Sequence, residues 1–282
     1  MVRIVSDTST MYSTAEAKEA GFDVSALSVT IGGESYREYD EISADQFVEK
    51  IHQGHMPTSS QPAVGEVAAL YERYPDDEIL NITMALGLSG TYTGAVAAAG
   101  LTENPDRITV LNSRTLCGPH RYMVERAVEL AKQGLSREEI VKRTEELMET
   151  AKSYLLPADF GYLRRGGRLS PLVSYVGQVA GLAPVMTQTE DSTQLMVAGV
   201  RRGFASAVKF VTKALVNRGV GEGWKIYITH AGVKHMAEQA HKIVSEAIPD
   251  ASYEIMPPAP PLLPRAVLAV WPFRSSGCNK ET

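Results

Sequence analysis

Residues 78–111 read EILNITMALGLSGTYTGAVAAAGLTENPDRITVL. Within them Glu78–Thr83 predicts a strand, Tyr92–Ala99 a helix and Arg107–Leu111 a second strand, the order of a crossover joining parallel neighbours. Between strand and helix stands Leu88-Ser89-Gly90-Thr91-Tyr92. A polar cluster at the carboxyl end of a strand is where open α/β sheets take their ligands, and hydroxyls beside helix N-terminal amides form an anion cradle.

Working outward, the same alternation fills the first half. Val2–Val5 reads as a strand, Thr14–Ala20 as a helix ended by Gly21, and Ala26–Ile31 as a strand turning at Gly32-Gly33. Ser43 with Gln46, and Ser136 with Glu139, have the spacing of capping boxes opening two further helices, and His120–Gln133 is a third. Strands separated by helices imply a mainly parallel, doubly wound sheet with helices on both faces. Beyond Lys152 the order changes: strands at Tyr154–Leu156, Pro184–Thr187, Gln194–Ala198 and Lys225–Thr229, helices at Phe204–Asn217 and Lys234–Ala247, and an apolar helix ending at Gly181. We therefore expect an α/β fold of two domains, residues 1–150 and 151–256, with an atypical tail at 257–282.

The 282 residues are 44% hydrophobic and 22% charged, which excludes collagen, disorder and a disulfide scaffold. A net charge of -5 argues against nucleic acid as a partner. Two cysteines, Cys117 and Cys278, fit a reducing compartment. Met1–Ser9 lacks the apolar core of a targeting signal, and no run approaches the ~20 apolar residues of a membrane span, so a cytoplasmic protein is expected.

Three more polar clusters share the position of Leu88–Tyr92: Ser6-Asp7-Thr8-Ser9, Thr58-Ser59-Ser60-Gln61-Pro62 and Asn112-Ser113. Each could be no more than a helix cap, but Ser59 and Ser89 together favour a ligand. A serine hydrolase is the alternative reading, with Ser89 as nucleophile and His230 as base. Gly87-Leu88-Ser89-Gly90-Thr91 lacks the last glycine of a nucleophile elbow. Cys/His metal spacings, a Walker loop and a dinucleotide fingerprint are missing, so no cofactor or metal is expected.

Taken together these motifs resemble the DegV family, bacterial fatty-acid-binding proteins that present acyl chains to a fatty acid kinase. The family's opening motif stands here as Ser6-Asp7-Thr8, its Thr-Ser-Gln-Pro element as Ser59-Ser60-Gln61-Pro62, its Leu-Ser-Gly-Thr-Tyr element intact at Leu88–Tyr92, and its Gly-Gly-Arg segment within Leu163–Arg168. The resemblance implies a non-catalytic protein holding a long-chain fatty acid such as palmitate, with its carboxylate on Ser59 and Ser89. Thr58, Ser60, Gly90 and Thr91 are further candidates beside them. Arg168 matches an arginine implicated in contact with the kinase and acyl-phosphate exchange. About fifteen buried methylenes at ~0.8 kcal/mol each give roughly 12 kcal/mol before ordering costs, so the head group need only break even. Leu172–Met186 and the helix Ala95–Ala99 are the expected tunnel walls.

The resemblance fades after about residue 250. Six of the 15 prolines fall between Pro257 and Pro272, and so proline-dense a segment is expected to form neither strand nor helix. Joining the third base of each codon from Arg265 to the first two of the next permits Gly-Gly-Pro-Gly-Cys-Val-Ala-Val-Gln, the family's ending, so the tail reads as a shifted coding frame. A genuine Pro-rich segment for a partner is the rival.

Overall fold

In the strand Glu78–Thr83 (β6) successive apolar side chains must face opposite ways, and each face needs a cover. The computed structural model describes residues 1–157, 169, 181–230, 233–256 and 265–272. It sets β6 between Val2–Asp7 (β1) and Ile108–Asn112 (β7), with Asp23–Ser25 (β2) outside β1, all four strands parallel. Ile4, Leu80 and Ile82 pack with residues of helices Thr14–Ala20 (α1), Cys117–Lys132 (α5) and Arg137–Met148 (α6). Val5 and Ile79 face the other way, onto Val64–Glu72 (α3) and Thr91–Ala99 (α4). The sheet is thus covered on both faces, as the alternation predicts.

A second, three-stranded sheet is antiparallel: Glu34–Arg37 (β4), Ser28–Ile31 (β3) and Thr58–Ser60 (β5), covered by Ala44–His52 (α2) through Phe47 and Ile51. Two of these strands are not expected from the sequence. Thr58-Ser59-Ser60 is polar throughout and owes its extended form to pairing with β3.

The third sheet runs β10-β9-β8-β13-β11-β12, from Lys152–Pro157 (β8), Leu182–Gln188 (β9), Leu195–Arg202 (β10), Trp224–Thr229 (β11), Ser252–Met256 (β12) and Arg265–Pro272 (β13). Tyr154, Val185, Ile226 and Ile228 bury one face against Phe204–Asn217 (α7) and Lys234–Ala247 (α8). Leu155, Met186 and Tyr227 point to the other face, where they meet Met84, Leu88, Leu116 and Met123 from the first half of the chain.

β13 corrects one expectation. The prolines that argue against a strand lie at 257, 258, 260, 261 and 264, ahead of it, and at 272, its last residue. Residues 265–271 keep every backbone N–H, and the strand pairs antiparallel with β8 on one side and β11 on the other.

Both expected capping boxes are present. Ser136 Oγ accepts from Glu139 N at 3.3 Å while Glu139 Oε2 accepts from Ser136 N at 2.9 Å, and Ser43 and Gln46 repeat the pattern. Ser136→Ala is expected to cost about 1 kcal/mol in a urea titration, with an unchanged slope. A loss below a few tenths would show that packing alone sets this helix start.

Candidate functional site

The four polar clusters separate once their partners are seen. Ser6, Asp7, Thr8 and Ser9 are all buried and bonded internally. The Asp7 carboxylate accepts from Ser9 N at 2.9 Å and Met84 N at 2.8 Å, locking the end of β1 to the end of β6. His120 on α5 reaches Ile82 O with Nε2 at 3.0 Å, so the proton sits there, and Nδ1 accepts from Ser9 Oγ at 2.7 Å. Burial holds this imidazole below the ordinary histidine range. Asn112 Oδ1 takes the N–H groups of Leu86 and Arg114, both at 3.1 Å, so this cluster braces the loop after β6.

The remaining two clusters meet one another. On β5, Ser59 is half-buried opposite Val29, whereas Thr58 and Ser60 alternate to the exposed face. In the loop after β6, Ser89 Oγ lies 2.8 Å from Thr91 Oγ1 and accepts from Thr91 N at 3.3 Å, at the first turn of α4. Gln61 joins the two segments. Its side chain lies across Gly90 and Gly94, where an added Cβ would stand 1.8 Å from Gln61 Oε1 and 2.7 Å from Gln61 Nε2. Only the missing side chains on α4 allow this approach.

Behind Ser89 the chain turns inward. Leu88 belongs to the apolar cluster that also holds Met11, Leu27, Met84, Met123 and Met186. The turn between β9 and β10 closes over the same loop, since a Cβ on Gly87 would fall 1.9 Å from Thr193 O. Hydroxyls at the rim and a methionine-rich interior suit a ligand with one polar end and one long apolar end. Within the helix Ala95–Ala99, Ala98 and Ala99 pack with Val67, Leu70 and Tyr71 on the far face of the parallel sheet.

A family model described as "Uncharacterised protein, DegV family" matches residues 1–261. The chain belongs to the DegV family. A DegV domain-containing protein of Staphylococcus aureus is 30% identical over 255 residues, 89% of this chain and 90% of the relative. The crystal structure of DegV from Bacillus subtilis, described as a fatty acid binding protein, superposes with a TM-score of 0.84 at 25% identity, covering 97% of this chain and 99% of that one. A Streptococcus pneumoniae Fatty Acid Kinase B3 protein, solved loaded with linoleic acid, has the same fold at 21% identity, with a TM-score of 0.81 and coverage of 97% and 100%.

In this DegV-family chain Ser89 and His230 do not form a pair among the described residues. Ser89 Oγ is engaged with Thr91, and the buried Nδ1 of His230 has no partner among the described residues. Burial, with Lys234 nearby, lowers the His230 pKa. Among the described residues no group of His, Cys, Asp and Glu could hold a metal ion, and no helix is long and apolar enough to cross a membrane. Arg168, the Leu163–Arg168 segment and Leu172–Ala180 lie outside the described residues.

Three residues escape the sequence reading. Gln61 stands inside a quoted motif, but its contact with Gly90 and Gly94 is non-local. His120 reads as an ordinary helix residue. Glu38 sits in the charged stretch Arg37–Glu41, which looks solvated, yet it is buried with Oε2 accepting from Thr8 Oγ1 at 2.8 Å and Oε1 without a partner among the described residues. Burial pushes its carboxyl up to about 7, with Asp7 adding to the rise and the Thr8 hydrogen bond opposing it.

Proposed function

We propose that this protein binds a long-chain fatty acid such as palmitate and presents its carboxylate to a fatty acid kinase, without a catalytic cycle of its own. The observation that carries the reading is the junction at Gln61, which brings the Ser59 and Ser89 segments together at the edge of the Leu88–Met84–Met186 cluster. Ser59 and Ser89 would hold the carboxylate, with Gly90 and Thr91 at the start of α4 beside them. Thr58 and Ser60, facing outward, would serve the rim.

The fatty acid is supported by the description of the Bacillus subtilis relative. The kinase is supported by the name of the Streptococcus pneumoniae structure, and Arg168 is the residue we assign to that contact. A cytoplasmic setting and a division near residue 150 complete the reading. The parallel sheet takes its strands from before that point and the β8–β13 sheet from after it. The shifted frame over 257–282 stays a proposal for the coding DNA to decide; a shifted frame that stops early would end it.

Native mass spectrometry of the purified protein is expected to release a fatty acid. Ser59→Ala and Ser89→Ala should each weaken palmitate about tenfold, the lower end for a hydrogen bond to a charged group. Unchanged affinity in both would remove the carboxylate from this site, and covalent labelling of Ser89 by a fluorophosphonate would replace the reading with a hydrolase.

A further inference from the structure

The orphaned oxygen of Glu38 lies on the same sheet face as Ser59. In the β4-β3-β5 sheet Val29 pairs with both Tyr36 and Ser59, and Glu38 N donates to Leu27 O at 2.9 Å, extending the β3–β4 ladder by one rung. Directly opposed residues, and residues two apart along a strand, share a face. Ser59, Val29, Leu27 and Glu38 therefore look the same way. Two strand steps of ~4.8 Å and two residues of ~3.4 Å put the backbones of Glu38 and Ser59 roughly 12 Å apart.

Among the described residues no cation pairs with Glu38, and Arg121 acts on the neighbouring Tyr39 instead. The neighbours that act on it or feel its charge are Thr8, Asp7, Tyr39 and Cys117, with His120 on α5 also beside Asp7, and no ion pair involves Glu38 among the described residues. Burial favours the neutral form of such a carboxyl without abolishing its ionisation near neutral pH, and an anion arriving nearby strengthens that preference.

Resting on the head-group site proposed above, we propose that Glu38 couples that site to a proton: a carboxylate ligand enters when Glu38 is neutral and is repelled when Glu38 is ionised. At roughly 12 Å and an effective dielectric near 20, two like charges change an equilibrium constant by about tenfold. By linkage the ligand raises the proton affinity of Glu38 by the same factor. Loading near neutral pH takes up a proton, and a rise in pH favours release.

The test is displacement of a fluorescent polyene fatty acid by palmitate from about pH 5.5 to about pH 8.5, for the wild type and Glu38→Gln. Wild-type affinity is expected to fall about tenfold more over this range than that of Glu38→Gln, which cannot ionise. Parallel slopes overturn the proposal and leave the fatty-acid reading standing. A wild type that binds no palmitate at any pH overturns the reading itself. Should Glu38→Gln fail to fold, carbon NMR of the wild-type Glu38 carboxyl decides: its titration midpoint should rise by about one pH unit on loading with palmitate, and an unmoved midpoint overturns the coupling.

Discussion

Gly118→Ala is expected to lower stability by about 2 kcal/mol, an overpacking cost reduced by alanine's better helix propensity. A Cβ at Gly118 would stand 2.5 Å from Cβ and Cγ of Tyr227. Tyr227 cannot step aside, because it is fully buried and β11 is hydrogen-bonded on both edges, to β12 and β13. For a chain of this size each kcal/mol moves the melting temperature by ~2–4 °C, so a drop of about 4–8 °C should appear in a thermal scan. Gly65→Ala is the control. That glycine lies in α3 with nothing within 4 Å of the added atom, and alanine there should stabilise slightly. Equal melting points for the two variants would show that α5 and β11 are not in the contact described.

Gly90→Ala is expected to weaken palmitate ~10- to 100-fold while leaving the melting temperature nearly unchanged. Its φ of -73° and ψ of 1° suit any residue, so the backbone carries no strain, and the position is exposed. The effect comes from Gln61, which the new methyl group displaces, moving the Ser59 segment away from Ser89 and costing the ~1.5–3 kcal/mol of a charged hydrogen bond. Gln61→Ala added to Gly90→Ala should cost much less than its single effect, a coupling of ~0.5–3 kcal/mol between touching residues. Strict additivity would show that Gln61 does not join the two segments.

What the sequence makes legible is local. The Ser43–Gln46 and Ser136–Glu139 boxes lie within one helical turn, and the strand–helix–strand order of residues 78–111 carries the handedness of its crossover. What it hides depends on distant partners. Thr58–Ser60 becomes a strand only beside β3, and residues 265–272 only between β8 and β11. Glu38 is buried, and the hydroxyl that satisfies its carboxylate comes from Thr8, thirty positions earlier. For the candidate site, the motifs point to Ser59 and Ser89, while their junction rests on a glutamine lying over two glycines of another element.

The position of β13 has a consequence for how the chain is made. It is synthesised after every strand it joins, yet it sits in the middle of the six. A nascent chain ending at Met256 can build two ribbons, β10-β9-β8 and β11-β12, but β8 and β11 then each present an edge of unsatisfied amides and carbonyls. Such edges are templates for pairing between chains. Closure of this sheet waits on the late arrival of one eight-residue segment, and aggregation during synthesis competes with that arrival.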